Sequence, residues 1–309
     1  MRWPEREGER RPASRRSPVS AAVATAILVT VVLTVTACGT VTRSAGDPPA
    51  LRVVTGLYPL AQAIEQIGGD RVAVTDVVPA GMDPRTYELT PAQVVSVHHA
   101  QVVVSIGGFQ PSLDAASTDL PGVLDLRARL GDDDPYLWLD PKSMGAAIDA
   151  IATVLETADP ADAATYRNGS RAFGDAVAST GIDYESTLSV CPRRTIVTAD
   201  GAFGGLAREY GLTDRVVGAA DHPDPVLVSA AARAITTAGL TTAFSEPFVP
   251  DGTIRAVASA AQLKIRTLDP LSGEPPAGWP RQADYLQLME ANLGALSTAL
   301  GCPDTSTGM

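Results

Sequence analysis

Four charged side chains stand where strands expected from the sequence give way to loops. Asp200 follows a strand at 195–198, Glu246 follows one at 242–245, Asp269 follows one at 264–268, and Arg85 lies in the loop after 74–78. In open parallel α/β sheets, such positions bring polar groups from distant parts of the chain to a common crevice. Carboxylates placed there can hold a cation or exchange protons. Arg85 can do neither, because a guanidinium has no lone pair and stays protonated; it pairs with carboxylates instead. The histidines add little. His98 and His99 are adjacent and point in different directions, and His222 sits in the turn Asp221-His222-Pro223-Asp224-Pro225. Ser112, Ser143 and Ser245 lack a nucleophile elbow, and Gly68-Gly69 and Gly107-Gly108 do not form a phosphate-binding loop. Enzyme readings therefore have no motif to rest on.

The elements that must position these groups show an internal echo. Arg52-Val53-Val54-Thr55 leads into a helical segment stopped by Gly68-Gly69, and Thr195-Ile196-Val197-Thr198 leads into another stopped by Gly211. Asp70-Arg71-Val72 recurs as Asp214-Arg215-Val216, 144 residues later, and the strand at 101–105 is answered by the one at 242–245. The fold expected is α/β, with two similar lobes, each a mostly parallel sheet flanked by helices, and a ligand cleft between them. Between the lobes, 142–158 has helical spacing, and Asp159-Pro160 starts a second helix running to about 188, the candidate for a long rigid strut. A last amphipathic helix spans 283–300 and stops at Gly301. The domain division expected is 1–37, 38–50, an N-terminal lobe at 51–160, a linking helix at 161–190 and a C-terminal lobe at 191–309.

The chain has 309 residues and a net charge of −11. An acidic balance argues against nucleic acid as a partner and suits solubility; by itself it names no ligand. Six Arg among the first 37 residues precede an apolar run at 21–35, which is short for a permanent membrane span and reads as a signal peptide. It ends at Val35-Thr36-Ala37-Cys38, which resembles the bacterial lipobox and implies acylation of Cys38. The stretch 39–50 then serves as a tether. With Cys38 lipidated, Cys191 and Cys302 remain as a pair in an oxidising compartment, which favours a disulfide.

Five further runs fix a resemblance. Val77-Val78-Pro79-Ala80-Gly81-Met82-Asp83-Pro84-Arg85-Thr86-Tyr87-Glu88-Leu89-Thr90-Pro91 resembles the first signature of the zinc/manganese-type ABC-transporter solute-binding proteins. Asp134-Pro135-Tyr136-Leu137-Trp138-Leu139-Asp140-Pro141 resembles the second and Val197-Thr198-Ala199-Asp200-Gly201-Ala202-Phe203 the third. Phe244-Ser245-Glu246-Pro247 and Leu268-Asp269-Pro270-Leu271 resemble the last two, in the same order. The resemblance implies a non-enzymatic, monomeric lipoprotein on the extracytoplasmic face of the bacterial cell membrane. Such a protein hands a metal ion to an ABC permease in the membrane.

The resemblance also implies a cleft lined by Arg85, Tyr136, Asp200, Asp269 and Glu246, and here the sequence departs from the pattern. Positions 85 and 136 are histidines in the family, position 200 is His in zinc-type and Glu in manganese-type members, and Asp269 matches the usual aspartate. Two readings stand side by side. In the first, the Arg85 guanidinium takes the cation's place and bridges Asp200 and Asp269, leaving the cleft metal-free or open to another solute. In the second, Tyr136, Asp200, Asp269 and Glu246 form an all-oxygen set for manganese or iron rather than zinc. A metal-free member acting as a surface adhesin or structural lipoprotein is the alternative function.

Overall fold

The computed structural model describes residues 50–274 and 284–303. The expected signal peptide at 1–37, Cys38 and all of the expected tether except Ala50 lie outside the described residues. Among the described residues, no helix is long and apolar enough to cross a membrane.

Valine-rich runs build the first sheet. Strands β1 (Leu51–Thr55), β2 (Val72–Asp76), β3 (Val102–Ser105) and β4 (Val123–Asp125) are all parallel, in the order β2-β1-β3-β4. β2 begins and ends two residues before the strand expected at 74–78, because it pairs with β1 in a register that sets Leu51 opposite Val72 and Thr55 opposite Asp76. The loop that follows therefore starts earlier and is long enough to carry Arg85 into the cleft.

Helices start where the sequence supplies caps. α1 (Tyr58–Gly68) has a proline in its first turn. α2 (Pro91–His98) begins with a capping box in which Thr90 and Gln93 satisfy each other's backbone N–H. α3 (Pro111–Ser117) and the short α4 (Leu126–Leu130) flank β4. Asp140 caps α5 (Pro141–Ala158), its carboxylate accepting from the N–H groups of Lys142 and Ser143. The second helix of the connecting region, α6 (Ala163–Leu188), runs for 26 residues after a single tight turn at Pro160–Asp162. Its glycines include one forced by packing: a Cβ at Gly169 would lie 2.2 Å from the Ile67 carbonyl oxygen, so α1 and α6 touch backbone to backbone there.

The second half repeats the strand and helix alternation with β5 (Thr195–Thr198), α7 (Gly204–Glu209), β6 (Thr213–Val216), α8 (Pro225–Thr237), β7 (Thr242–Ser245), α9 (Gly252–Ala261) and β8 (Lys264–Thr267). Here β5 pairs with β6 and β7 with β8, each parallel; β5 and β7 lie side by side without sharing a ladder. α10 (Tyr285–Leu300) closes the chain, opened by a capping box on Asp284 and ended by Gly301 in the left-handed conformation. Cys302 just beyond it forms a disulfide with Cys191.

The two halves share one apolar core. Leu51, Val53 and Val104 under the first sheet, Phe173 and Tyr184 of α6, and Phe244, Leu268 and Leu296 of the second half all belong to one buried cluster. Polar bonds cross it as well. The indole N–H of Trp138 donates to the Pro270 carbonyl at 2.7 Å, and the Tyr285 hydroxyl donates to the Trp138 carbonyl at 2.6 Å. A seam this apolar and this densely tied resists hinge opening, because separating the halves would expose core surface rather than a wet interface.

Candidate functional site

The site forms where loops leaving the carboxyl ends of β2, β5, β7 and β8 converge. After β2 the chain turns at Asp83: the N–H groups of Thr86 and Tyr87 donate to the Asp83 carbonyl at 3.2 and 3.0 Å, and the Arg85 N–H donates to Asp83 Oδ1 at 2.9 Å. The turn fixes the backbone from which Arg85 projects. Its guanidinium is divided between two halves of the molecule. Nε and Nη2 donate to the two oxygens of Asp83, each at 3.1 Å, whereas Nη1 donates to Asp200 Oδ2 at 2.7 Å and to the Tyr136 hydroxyl at 3.0 Å. The Arg85 side chain is 31% exposed, and Asp83 and Asp200 are less exposed still. Burial alone would lower the guanidinium's pKa, but the hydrogen bonds from Asp83 and Asp200 outweigh it and raise the pKa further.

Tyr136 is held edge-on against Phe109 and tilted against Trp138, with ring centroids 5.2 and 5.4 Å away. Burial pushes its phenol up to about 12, with Asp200 and Glu246 adding to the rise and Arg85 opposing it. In the absence of a bound cation it is a neutral phenol at pH 7, and ionising it there costs about 7 kcal/mol.

Behind Asp200 lies Glu246, only 5% exposed. Its Oε1 accepts from the N–H groups of Ala199 at 2.8 Å and Asp200 at 3.4 Å, whereas its buried Oε2 has no hydrogen-bond partner among the described residues. Burial first, and then the neighbouring Asp200 carboxylate, raise the Glu246 pKa. A proton on Glu246 relieves its repulsion with the Asp200 carboxylate. Thr198 and Asp214 continue the network beneath, with the Thr198 hydroxyl donating to Asp214 Oδ1 at 2.5 Å.

Asp269 is placed differently from the bridge expected of it. It is 8% exposed, its Oδ1 accepts from the Leu271 N–H at 2.8 Å, and its backbone is clasped by the Asn292 side chain of α10 at 2.9 and 2.7 Å. Burial raises its pKa, opposed by the Leu271 hydrogen bond. Among the described residues, the ion pairs of Arg85 are with Asp83 and Asp200, so the second carboxylate on the guanidinium is Asp83 and not Asp269. The physical reason is proximity: two residues of a tight turn bring Asp83 alongside the guanidinium with almost no loop to close. Asp83 is the residue that sequence reasoning missed, and its signal was the Asp83-Pro84-Arg85 spacing, which places a short acidic side chain beside a long basic one.

The cation that Asp83, Tyr136 and Asp200 contact is the Arg85 guanidinium. Among the described residues, no three His, Cys, Asp or Glu side chains are grouped so as to hold a metal ion. His98 and His99 end α2 and stand apart from the cleft residues, and His222 is exposed in the turn before α8.

The comparisons with known proteins agree with this architecture. The family model described as zinc-uptake complex component A, periplasmic (ZnuA), matches residues 53–299. A putative metal-binding protein of Chlamydia muridarum is 27% identical over 194 residues, covering 59% of this chain and 70% of that protein. The high-affinity zinc uptake system protein ZnuA of Paracoccus denitrificans is 25% identical over 302 residues, covering 81% of this chain and 92% of that protein. Among solved structures, the Zn(II)-bound ZnuA-like domain of Streptococcus pneumoniae AdcA superimposes with a TM-score of 0.72 at 22% identity, over 81% of this chain and 99% of that domain.

Proposed function

We propose that this chain, which belongs to the family of periplasmic component A of zinc-uptake complexes, is an extracytoplasmic solute-binding component whose cation seat is filled by its own Arg85. The family is one of binding proteins and not of enzymes. On this reading the chain is tethered to the outer face of the cell membrane through acylated Cys38 and works as a monomer with an ABC permease. Its cleft is closed around a guanidinium rather than a captured ion.

The observation that carries the proposal is the 2.7 Å bond from Arg85 Nη1 to Asp200 Oδ2, made between loops of the two halves. A divalent ion bound to Asp200 with the guanidinium about 5 Å away would meet a repulsion near 7 kcal/mol at an effective dielectric of about 20. That is close to the whole free energy of micromolar binding, roughly 8 kcal/mol. Metal and inward Arg85 thus exclude each other. The chemistry of the remaining donors points the same way: Tyr136 is a neutral phenol, and the raised pKa of Glu246 favours its uncharged form, removing a charge that a cation would need. An all-oxygen site for manganese or iron would require Arg85 to leave, Tyr136 to ionise and that proton to be expelled together.

Crystals soaked in manganese test this directly. The expected anomalous map has no peak between Tyr136 and Asp200, with Arg85 in place. A strong peak there, with Arg85 turned to solvent, would overturn the proposal and restore the oxygen-ligand reading.

A further inference from the structure

We infer that Asp83 is the positioning residue that makes Arg85 the resident cation of the cleft; this rests on the reading that the guanidinium fills that seat. The pairing geometry carries the inference. A guanidinium presents a planar edge of two N–H groups that matches a carboxylate, and Asp83 occupies that edge with both oxygens, on Nε and Nη2 at 3.1 Å each. With this edge held, Nη1 points away from the turn, toward Asp200 and Tyr136.

Without Asp83, the contact with Asp200 would be a single-point ion pair across 115 residues of sequence, made by a long and partly exposed side chain. Such pairs are weak, because ordering the side chain offsets the attraction. Asp83 removes that penalty locally: its own backbone carbonyl is fixed by Thr86 and Tyr87, and its carboxylate also accepts the Arg85 backbone N–H. Among the described residues, Asp200 is the other carboxylate paired with Arg85, while Asp269 is engaged with Leu271 and Glu246 with Ala199. Asp83 thus determines the specificity of the site by presenting a covalently attached cation to the residues that would otherwise meet a free one.

The test measures how fast phenylglyoxal modifies individual arginines, followed by peptide mapping, in the unmodified chain and in Asp83→Asn. Asparagine keeps an oxygen to accept the Arg85 N–H but loses the charge. In the unmodified chain, Arg85 is expected to react at least about ten-fold more slowly than the exposed Arg233, as charge-assisted bonds of ordinary strength require. In Asp83→Asn its rate should rise about ten-fold toward that of Arg233, with the Arg233 rate and the helical circular dichroism unchanged. If Arg85 already reacts like Arg233 in the unmodified chain, the guanidinium is not seated and the proposed function fails with this inference. If Arg85 is protected equally in both proteins, the seat stands and the role given to Asp83 is wrong. Should Asp83→Asn fail to fold, nitrogen NMR of the unmodified protein decides. Slow rotation about the Arg85 Nε–Cζ bond supports a held fork, and free rotation overturns it.

Discussion

Replacing Asp76 with asparagine should remove a large part of the pH dependence of stability. Asp76 ends β2 and faces Glu274 of the second half and Glu65 of α1; its Oδ1 accepts from the Val78 N–H at 2.9 Å. Burial, and then the charges of Glu274 and Glu65, push its pKa from 3.8 to about 7, against the pull of the Val78 hydrogen bond. The folded protein therefore holds this proton more tightly than the unfolded chain. The stabilisation is complete below about pH 4, falls as pH rises, and is lost above about pH 7. Roughly three pKa units at about 1.4 kcal/mol each set an upper bound of ~4 kcal/mol, with about half that expected after screening by solvent. The substituted amide cannot ionise and retains an acceptor for the Val78 N–H. Urea unfolding from about pH 4 to about pH 8.5 should show the variant close to the parent in acid and roughly 2–4 kcal/mol more stable at the alkaline end. Because Glu246 contributes the same slope to both proteins, it cancels in the difference. A difference that stays constant across the range would refute the assignment of the buried proton to Asp76.

Glu246→Gln should likewise flatten the alkaline part of the stability profile, because its raised pKa also adds stability at low pH that is lost as pH rises; an unchanged profile by the same urea assay would count against a buried proton on Glu246. Replacing Cys191 and Cys302 with serine opens a loop of 111 residues and should lower stability by about 4 kcal/mol in denaturant titrations, or somewhat less if the reduced chain keeps residual structure. Gly205→Ala should disturb the seam between the halves, since a Cβ there would lie 1.4 Å from Asp134 Oδ2. A drop in melting temperature of several degrees is expected, and Asp134→Ala in the same chain should recover most of it.

Much of this architecture was legible because strands and caps are written locally. The runs at β5 and β7 have the bounds read from the sequence, and Asp140-Pro141 and Gly301 mark helix ends by capping chemistry that needs no tertiary context. β2 was misplaced by two residues, since its limits are set by register with β1 and not by its own composition. The cleft was legible as a set of strand ends. Its pairing was not: the acid nearest in sequence to Arg85 took the guanidinium's edge, and Asp269 was drawn back by Leu271 and Asn292. Which carboxylate an arginine chooses depends on side-chain reach and competing donors, neither of which a motif records. The division of the second half into two strand pairs likewise had no sequence signal.

The central claim is that a positive side chain stands where a captured ion would sit, and calorimetric titration with zinc and manganese tests it most directly. The unmodified chain is expected to give no heat of binding tighter than about 10 µM, whereas the Arg85→His, Tyr136→His double variant, with imidazoles at both positions, should bind zinc at least about a hundred-fold more tightly. Tight zinc or manganese binding by the unmodified chain would contradict the account, and so would a well-folded double variant that still binds neither.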